Sequence, residues 1–257
     1  LAEQFGQSGA RVAICDVDLQ AAEATAGELC TSGLQARAWP LDVRDRQAWD
    51  GTVRDIESHW GGIDVLVGNA GIMPVGPFLE LSEQVDRQQI DINLHGVIHG
   101  LHATLPGMRA RGRGHVVHIA SLAGRIPTPY GAVYAATKFA VVGLTEALSH
   151  ELHGTGIHFT TVMPGFVQTE LISGLASPAW PRPSTPTDVA RATVRAVKRR
   201  RERVYVPFYG GILSLIPWLL PHGMVVWLAR LFGAQTMLRP VDPEARADYR
   251  RRSRGAG

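Results

Sequence analysis

A chain of 257 residues with 45% apolar and 19% charged side chains can build one α/β unit around a sizeable core, and this composition excludes a disordered chain. The net charge of +3 is too small to argue for a nucleic-acid partner, and the basic runs 195–203 and 246–254 read as solvated surface or loose tail. With only Cys15 and Cys30, neither a disulfide framework nor a four-ligand zinc site is available, and a reducing cytoplasm is the simplest setting.

The opening, "LAEQFGQSGARVAICD", does not read as a signal peptide. Its apolar Leu1, Ala2 and Phe5 predict an amphipathic helix, followed by a Ser-Gly stop and a first strand over Val12–Cys15. A helix that begins at residue 1 and feeds a buried strand is expected to follow an earlier strand. Further strands are expected at Ala36–Pro40, Val65–Asn69, His115–Ala120, His158–Met163 and Val204–Pro207, with helices over 18–32, 45–60, 82–110, 131–153 and 187–200. Strands that are apolar throughout and alternate with helices predict a parallel sheet covered on both faces. The proline-rich stretch Ser177–Pro186 predicts a surface loop beside a site.

The end of the chain has a different character. From Val204 to Ala229 there is no Asp, Glu, Lys or Arg, a length that approaches a bilayer span, but Pro217 and Pro221 interrupt it. Residues 1–203 are therefore read as the main domain and 204–257 as an apolar helical extension with a basic tail. Three readings of the apolar stretch stay open: a helical hairpin packed on the domain or a second subunit, a lipid-facing or substrate-funnelling surface, and a single-span anchor.

The chemistry centres on "YGAVYAATKFA", Tyr130–Ala140. On a helix, Tyr134 and Lys138 share a face, whereas Tyr130 falls in the preceding loop. A free phenol has a pKa of about 10, too high for a useful base at neutral pH. A nearby ammonium favours phenolate, and a shift of ~2–3 units, worth about 3–4 kcal/mol, would suit proton exchange with an alcohol or carbonyl. Ser121 follows the strand "HVVHIA", at the carboxyl end where parallel sheets bind ligands. Asn69, Ala70 and Gly71 end another strand with small residues that permit close backbone approach, and Asn93 sits in a helix that gains nothing from asparagine.

Asn69-Ala70-Gly71, Asn93, Ser121, Tyr134 and Lys138, followed by "PGFVQTE" from Pro164, resemble the short-chain dehydrogenase/reductase family from Leu1 to about Pro207. The resemblance implies a Rossmann-type doubly wound sheet and a nicotinamide-dependent enzyme acting on alcohols or ketones. By position it makes Tyr134 the acid/base and Lys138 the residue that lowers its pKa and holds the nicotinamide ribose. Ser121 would orient the substrate oxygen, and Asn93 would bind a water of the proton relay. Pro164, Gly165, Val167 and Thr169 would flank the nicotinamide carboxamide. Asp16, ending the strand "VAICD", would accept from the adenosine ribose hydroxyls and favour NAD over NADP. Asp42 and Val43 would contact adenine, although Asp42 also reads as a helix N-cap.

The family's first strand and glycine-rich pyrophosphate turn have no counterpart in this sequence. The expectation is that roughly 20–25 residues of a first β-turn-α unit precede it, and that neighbouring ladders are left unpaired.

His95, His99 and His102 share a helical face, but a subunit interface is the preferred reading over a metal. Trp39, Trp49 and Trp60 read as packing residues. The family likeness extends to hydroxysteroid and retinol dehydrogenases with apolar tails, which implies a lipophilic secondary alcohol or ketone, a homodimer or homotetramer, and peripheral membrane contact through 204–232. A non-catalytic NAD-binding scaffold and a membrane-associated adaptor are the alternatives.

Overall fold

A computed structural model describes residues 1–175 and 183–231, together with Gly233, Leu238, Asp242, Glu244 and Tyr249. The stretch from Ser177 to Arg182, Phe232 and the basic tail other than Tyr249 lie outside the described residues.

The elements alternate as the apolar periodicity predicts. In order they are α1 (Ala2–Gly6), β1 (Val12–Asp16), α2 (Leu19–Thr31), β2 (Ala36–Pro40), α3 (Arg46–Trp60), β3 (Val65–Gly68) and α4 (Glu83–Ile90). There follow α5 (Gly96–Arg111), β4 (Gly114–Ile119), α6 (Ala132–Glu151), β5 (Ile157–Pro164), α7 (Pro186–Lys198) and β6 (Arg203–Val206). The chain continues through three short helices, α8 (Gly210–Leu213), α9 (Ile216–Leu219) and α10 (His222–Leu231). All six expected strands form.

Side chains start several helices by satisfying amides that have no intrahelical partner. Asp18 accepts from Ala21 N–H at α2, Asp45 accepts from Gln47 and Ala48 at α3, and Thr185 with Asp188 forms a reciprocal capping box at α7. The cap of α3 is therefore Asp45, which corrects the reading of Asp42 as that cap. The long helix expected over 82–110 is divided: Asp91–His95 forms one turn of π-helix between α4 and α5. Such a wide turn reorients the residues it contains, and Asn93 is one of them.

The strands are all parallel and form two sheets, β1–β2 and β3–β4–β5–β6. The core lies on both faces of the larger one. Val116 and Phe159 pack with Leu101 and Met108 of α5, whereas Val117 and Val162 pack with Val189 of α7. Burying each such side chain is worth about 1.5–3 kcal/mol. Among the described residues, nothing pairs β1 with β3. Their edges face one cavity of about 1680 Å³, with Val12 and Ile14 on one side and Val65 and Val67 on the other. The interrupted ladder falls where the resemblance puts its central first strand.

Pro217 opens α9 and Pro221 separates α9 from α10, so the apolar stretch folds as short pieces. Among the described residues, no helix is long and apolar enough to cross a membrane. Phe208, Ile212, Trp218, Leu219 and Trp227 are exposed on these pieces. Trp39 is buried, donates to Asp55 at 2.6 Å and meets Trp60 edge-on, and Trp49 donates to Val43 O, so the tryptophans pack as expected.

Candidate active site

The carboxyl ends of β1, β3, β4 and β5 open into the same cavity, and they deliver most of the residues singled out in the sequence. Asp16, Asp42, Val43, Asn69, Ala70, Gly71, Ser121, Tyr134, Lys138, Pro164, Gly165, Val167 and Thr169 all line it.

Tyr134 and Lys138 are both buried on α6. Tyr130 stands in the loop before it with a φ of 64°, in the left-handed region. The Ser121 hydroxyl beside Tyr134 favours phenolate. Burial outweighs that effect, and the pKa is pushed up to about 12. Lys138 Nζ lies 5.7 Å from the centre of the Tyr134 ring and donates to Ile119 O at 2.9 Å. Burial lowers its own pKa to about 8. The expected lowering of the phenol by the ammonium is thus corrected: in this geometry desolvation dominates both groups.

Ser121 serves the backbone as well. It caps the short helix Leu122–Gly124 by accepting from Ala123 N–H at 3.1 Å. Asn93, in contrast, never reaches the phenol. Its Nδ2 donates to Ile72 O at 2.9 Å and to Thr137 Oγ1 at 3.2 Å, while Oδ1 accepts from Ile72 N–H at 2.8 Å. This side chain is a buried brace for the loop after β3. A Cβ added at Gly71 would stand 3.2 Å from Asn93 Oδ1 and 3.6 Å from Lys138 Nζ, so the loop passes flush against both.

Asp16 is exposed at the end of β1, and its Oδ1 accepts from Asp18 N–H. The Asp42 carboxylate is taken by Arg44, whose Nε lies 2.9 and 3.0 Å from its two oxygens. That fork holds the Asp42 pKa below its ordinary value. The Val43 carbonyl already accepts from Trp49 Nε1 at 3.1 Å. Beyond β5, Gly165 N–H donates to Val206 O, and Thr169 turns back on Val167 O.

Sequence reasoning missed Arg44, His118, Leu238 and Tyr249. His118 is fully buried on β4 beside Thr145, and burial together with the Lys138 charge lowers its pKa to about 4. His95 Nδ1 lies 2.9 Å from Asp91 Oδ1, a carboxylate one turn away that the sequence reading passed over. Among the described residues, no three His, Cys, Asp or Glu side chains gather to hold a metal.

The family model described as short chain dehydrogenase matches residues 1–179. The chain belongs to the short chain dehydrogenase family. This short chain dehydrogenase is 34% identical over 202 residues to oxidoreductase UcpA of Escherichia coli (strain K12), covering 78% of this chain and 76% of the relative. It is 38% identical over 175 residues to the sorbitol dehydrogenase of Cereibacter sphaeroides, covering 68% of this chain and 67% of that one. In three dimensions it resembles a gluconate 5-dehydrogenase from Burkholderia cenocepacia J2315, crystallised with NADP and tartrate. The TM-score is 0.76 at 26% identity, over 84% of this chain and 90% of that one. Membership makes the protein an oxidoreductase that acts on CH–OH groups with a nicotinamide cofactor. The residues present fit such a group: an acidic side chain at the end of β1, a flush glycine against Lys138, and a continuous cavity joining both to Tyr134 and Ser121.

Proposed function

We propose that this short chain dehydrogenase oxidises a lipophilic secondary alcohol, or reduces the matching ketone, with Tyr134 as acid/base. The observation that carries this reading is that Tyr134 and Ser121 line one cavity together with Leu213, Ile216, Val225 and Leu228 of α8–α10. An apolar extension that lines the same cavity favours an apolar substrate.

The dinucleotide, when bound, supplies the hydride acceptor or donor. Everything else is done by the chain. Ser121 and Tyr134 would hold the substrate oxygen between two hydroxyls. In the reducing direction the neutral phenol is the right form, since it gives its proton to the oxygen as charge develops there. In the oxidising direction phenolate must form, and the Lys138 charge would stabilise it. Asn93 would act by fixing the loop around Gly71, because its amide is spent on Ile72 and Thr137.

NAD is the cofactor favoured by Asp16, whose carboxylate suits ribose hydroxyls and repels a 2′-phosphate. The NADP bound to the gluconate 5-dehydrogenase is the counterweight. We take residues 1–203 as the catalytic unit and 204–257 as an extension that gives the substrate side its apolar character. Exposed Phe208, Trp218, Leu219 and Trp227 would let 204–232 rest on a membrane surface or a second subunit of a homodimer or homotetramer.

A second reading, a polyol or sugar-acid substrate, is favoured by the names of the sorbitol and gluconate relatives. Turnover with NAD and NADP across alcohols from sorbitol and 2-propanol to 2-decanol and a steroid alcohol separates them. Our reading expects kcat/KM to climb with apolar size. Turnover confined to sorbitol and other polyols would refute it.

A further inference from the structure

We propose that Tyr249 is a positioning residue of this site: its hydroxyl clasps the loop after β3, and Leu238, which lines the same cavity, is the wall that sizes the alcohol. The proposal rests on the reading of Tyr134 as the acid/base.

By composition Tyr249 ought to be surface, since it stands among five arginines between Arg246 and Arg254. It is instead only 6% exposed. Its hydroxyl oxygen accepts from Met73 N–H at 2.7 Å, across 176 residues of sequence. Ile72 N–H, the preceding amide, is held by Asn93. Two consecutive amides of one loop are therefore fixed by side chains from distant parts of the chain, on the stretch that carries Gly71 past Lys138. A lone buried amide would cost about 1–3 kcal/mol, and this clasp removes that cost.

Leu238 and Asp242 add two further contacts. Leu238 is buried with Met73, Val75, Tyr134, Ala135 and Leu175, and it lines the cavity. It lies over Gly131 at the start of α6, where a Cβ would come within 2.8 Å of Leu238 Cδ1. Asp242 N–H donates to Gly174 O at 3.2 Å. Tyr249, Leu238 and Asp242 thus touch the loop after β3, the start of α6 and the strand-to-helix connection after β5, and Leu238 packs in one cluster with the Tyr134 ring. Tyr249 is close enough that its ionisation would oppose that of Tyr134. Residues so placed meet the part of an alcohol that extends beyond the reacting carbon.

The test uses Tyr249→Phe and Tyr249→Ala in the full chain. Hydrogen exchange of the peptide containing Met73 reads the clasp without turnover. Both variants should speed it by about tenfold, the loss of one hydrogen bond, with β4 peptides unchanged. Selectivity reads the wall: Tyr249→Ala should raise the kcat/KM ratio of 2-decanol to 2-propanol by about fivefold or more, chiefly through KM for the small alcohol. Unchanged exchange at Met73, or equal loss on both alcohols, overturns the proposal. A parent protein that turns over no alcohol would sink the dehydrogenase reading instead, and exchange at Met73 would still decide the clasp.

Discussion

Lys138 stands 5.7 Å from the centre of the Tyr134 ring, and its ammonium donates to the Ile119 carbonyl. Burial leaves the amine with a pKa of about 8, against about 12 for the phenol. The amine retains most of its charge at pH 7, but that charge is a burden on the fold. An unfolded lysine titrates near 10.5, so between pH 8 and 10.5 the unfolded chain binds the extra proton and stability rises with pH. Lys138→Met removes the buried charge. It should match or exceed the parent at pH 7 by about 1–2 kcal/mol in urea denaturation, with the gap closing by pH 10. A gap independent of pH would show that the ammonium is not desolvated.

His115 and His118 make the same demand at acid pH. Burial lowers both to about 4, so the unfolded chain takes up protons from pH 6.5 downward while the folded chain resists. The stability linked to these histidines is complete above pH 6.5 and falls toward pH 4, by up to about 3 kcal/mol for each histidine. Urea midpoints at pH 7, 5.5 and 4.5 should trace that fall. His118→Leu should flatten part of the slope, and an unchanged slope would contradict the assignment.

Asp16 governs the choice of dinucleotide in our reading. Asp16→Ser paired with Val17→Arg removes the carboxylate and adds a cation for the 2′-phosphate. The ratio of kcat/KM with NAD to that with NADP should fall by about 10²-fold, the worth of about 2.7 kcal/mol. A ratio that does not move would place the discrimination elsewhere.

Much of this architecture was legible in the residues themselves. Six strands formed at the short apolar runs, because strands buried on two faces need continuous apolar chemistry. Local pattern failed where long-range packing decides. The π-turn at Asn93 depends on the loop it braces, and nothing in the 3.6-residue period marks it. Asp42 and Asp45 both suit a cap, and only the Arg44 fork separates them. Tyr249 lay hidden in a basic tail, although an isolated aromatic among arginines was a signal worth following. The Tyr134–Lys138 spacing was readable, but the depth of burial that raises the phenol is a property of the folded core.

Tyr134→Phe tests the central claim most directly, since it deletes one oxygen and keeps the ring that packs beside Leu238. We expect kcat to fall by about 10²–10⁴-fold with the preferred alcohol, while the Kd for the dinucleotide, read by protein fluorescence, stays unchanged. Turnover within a few-fold of the parent would contradict the assignment of Tyr134 as the proton-transferring group.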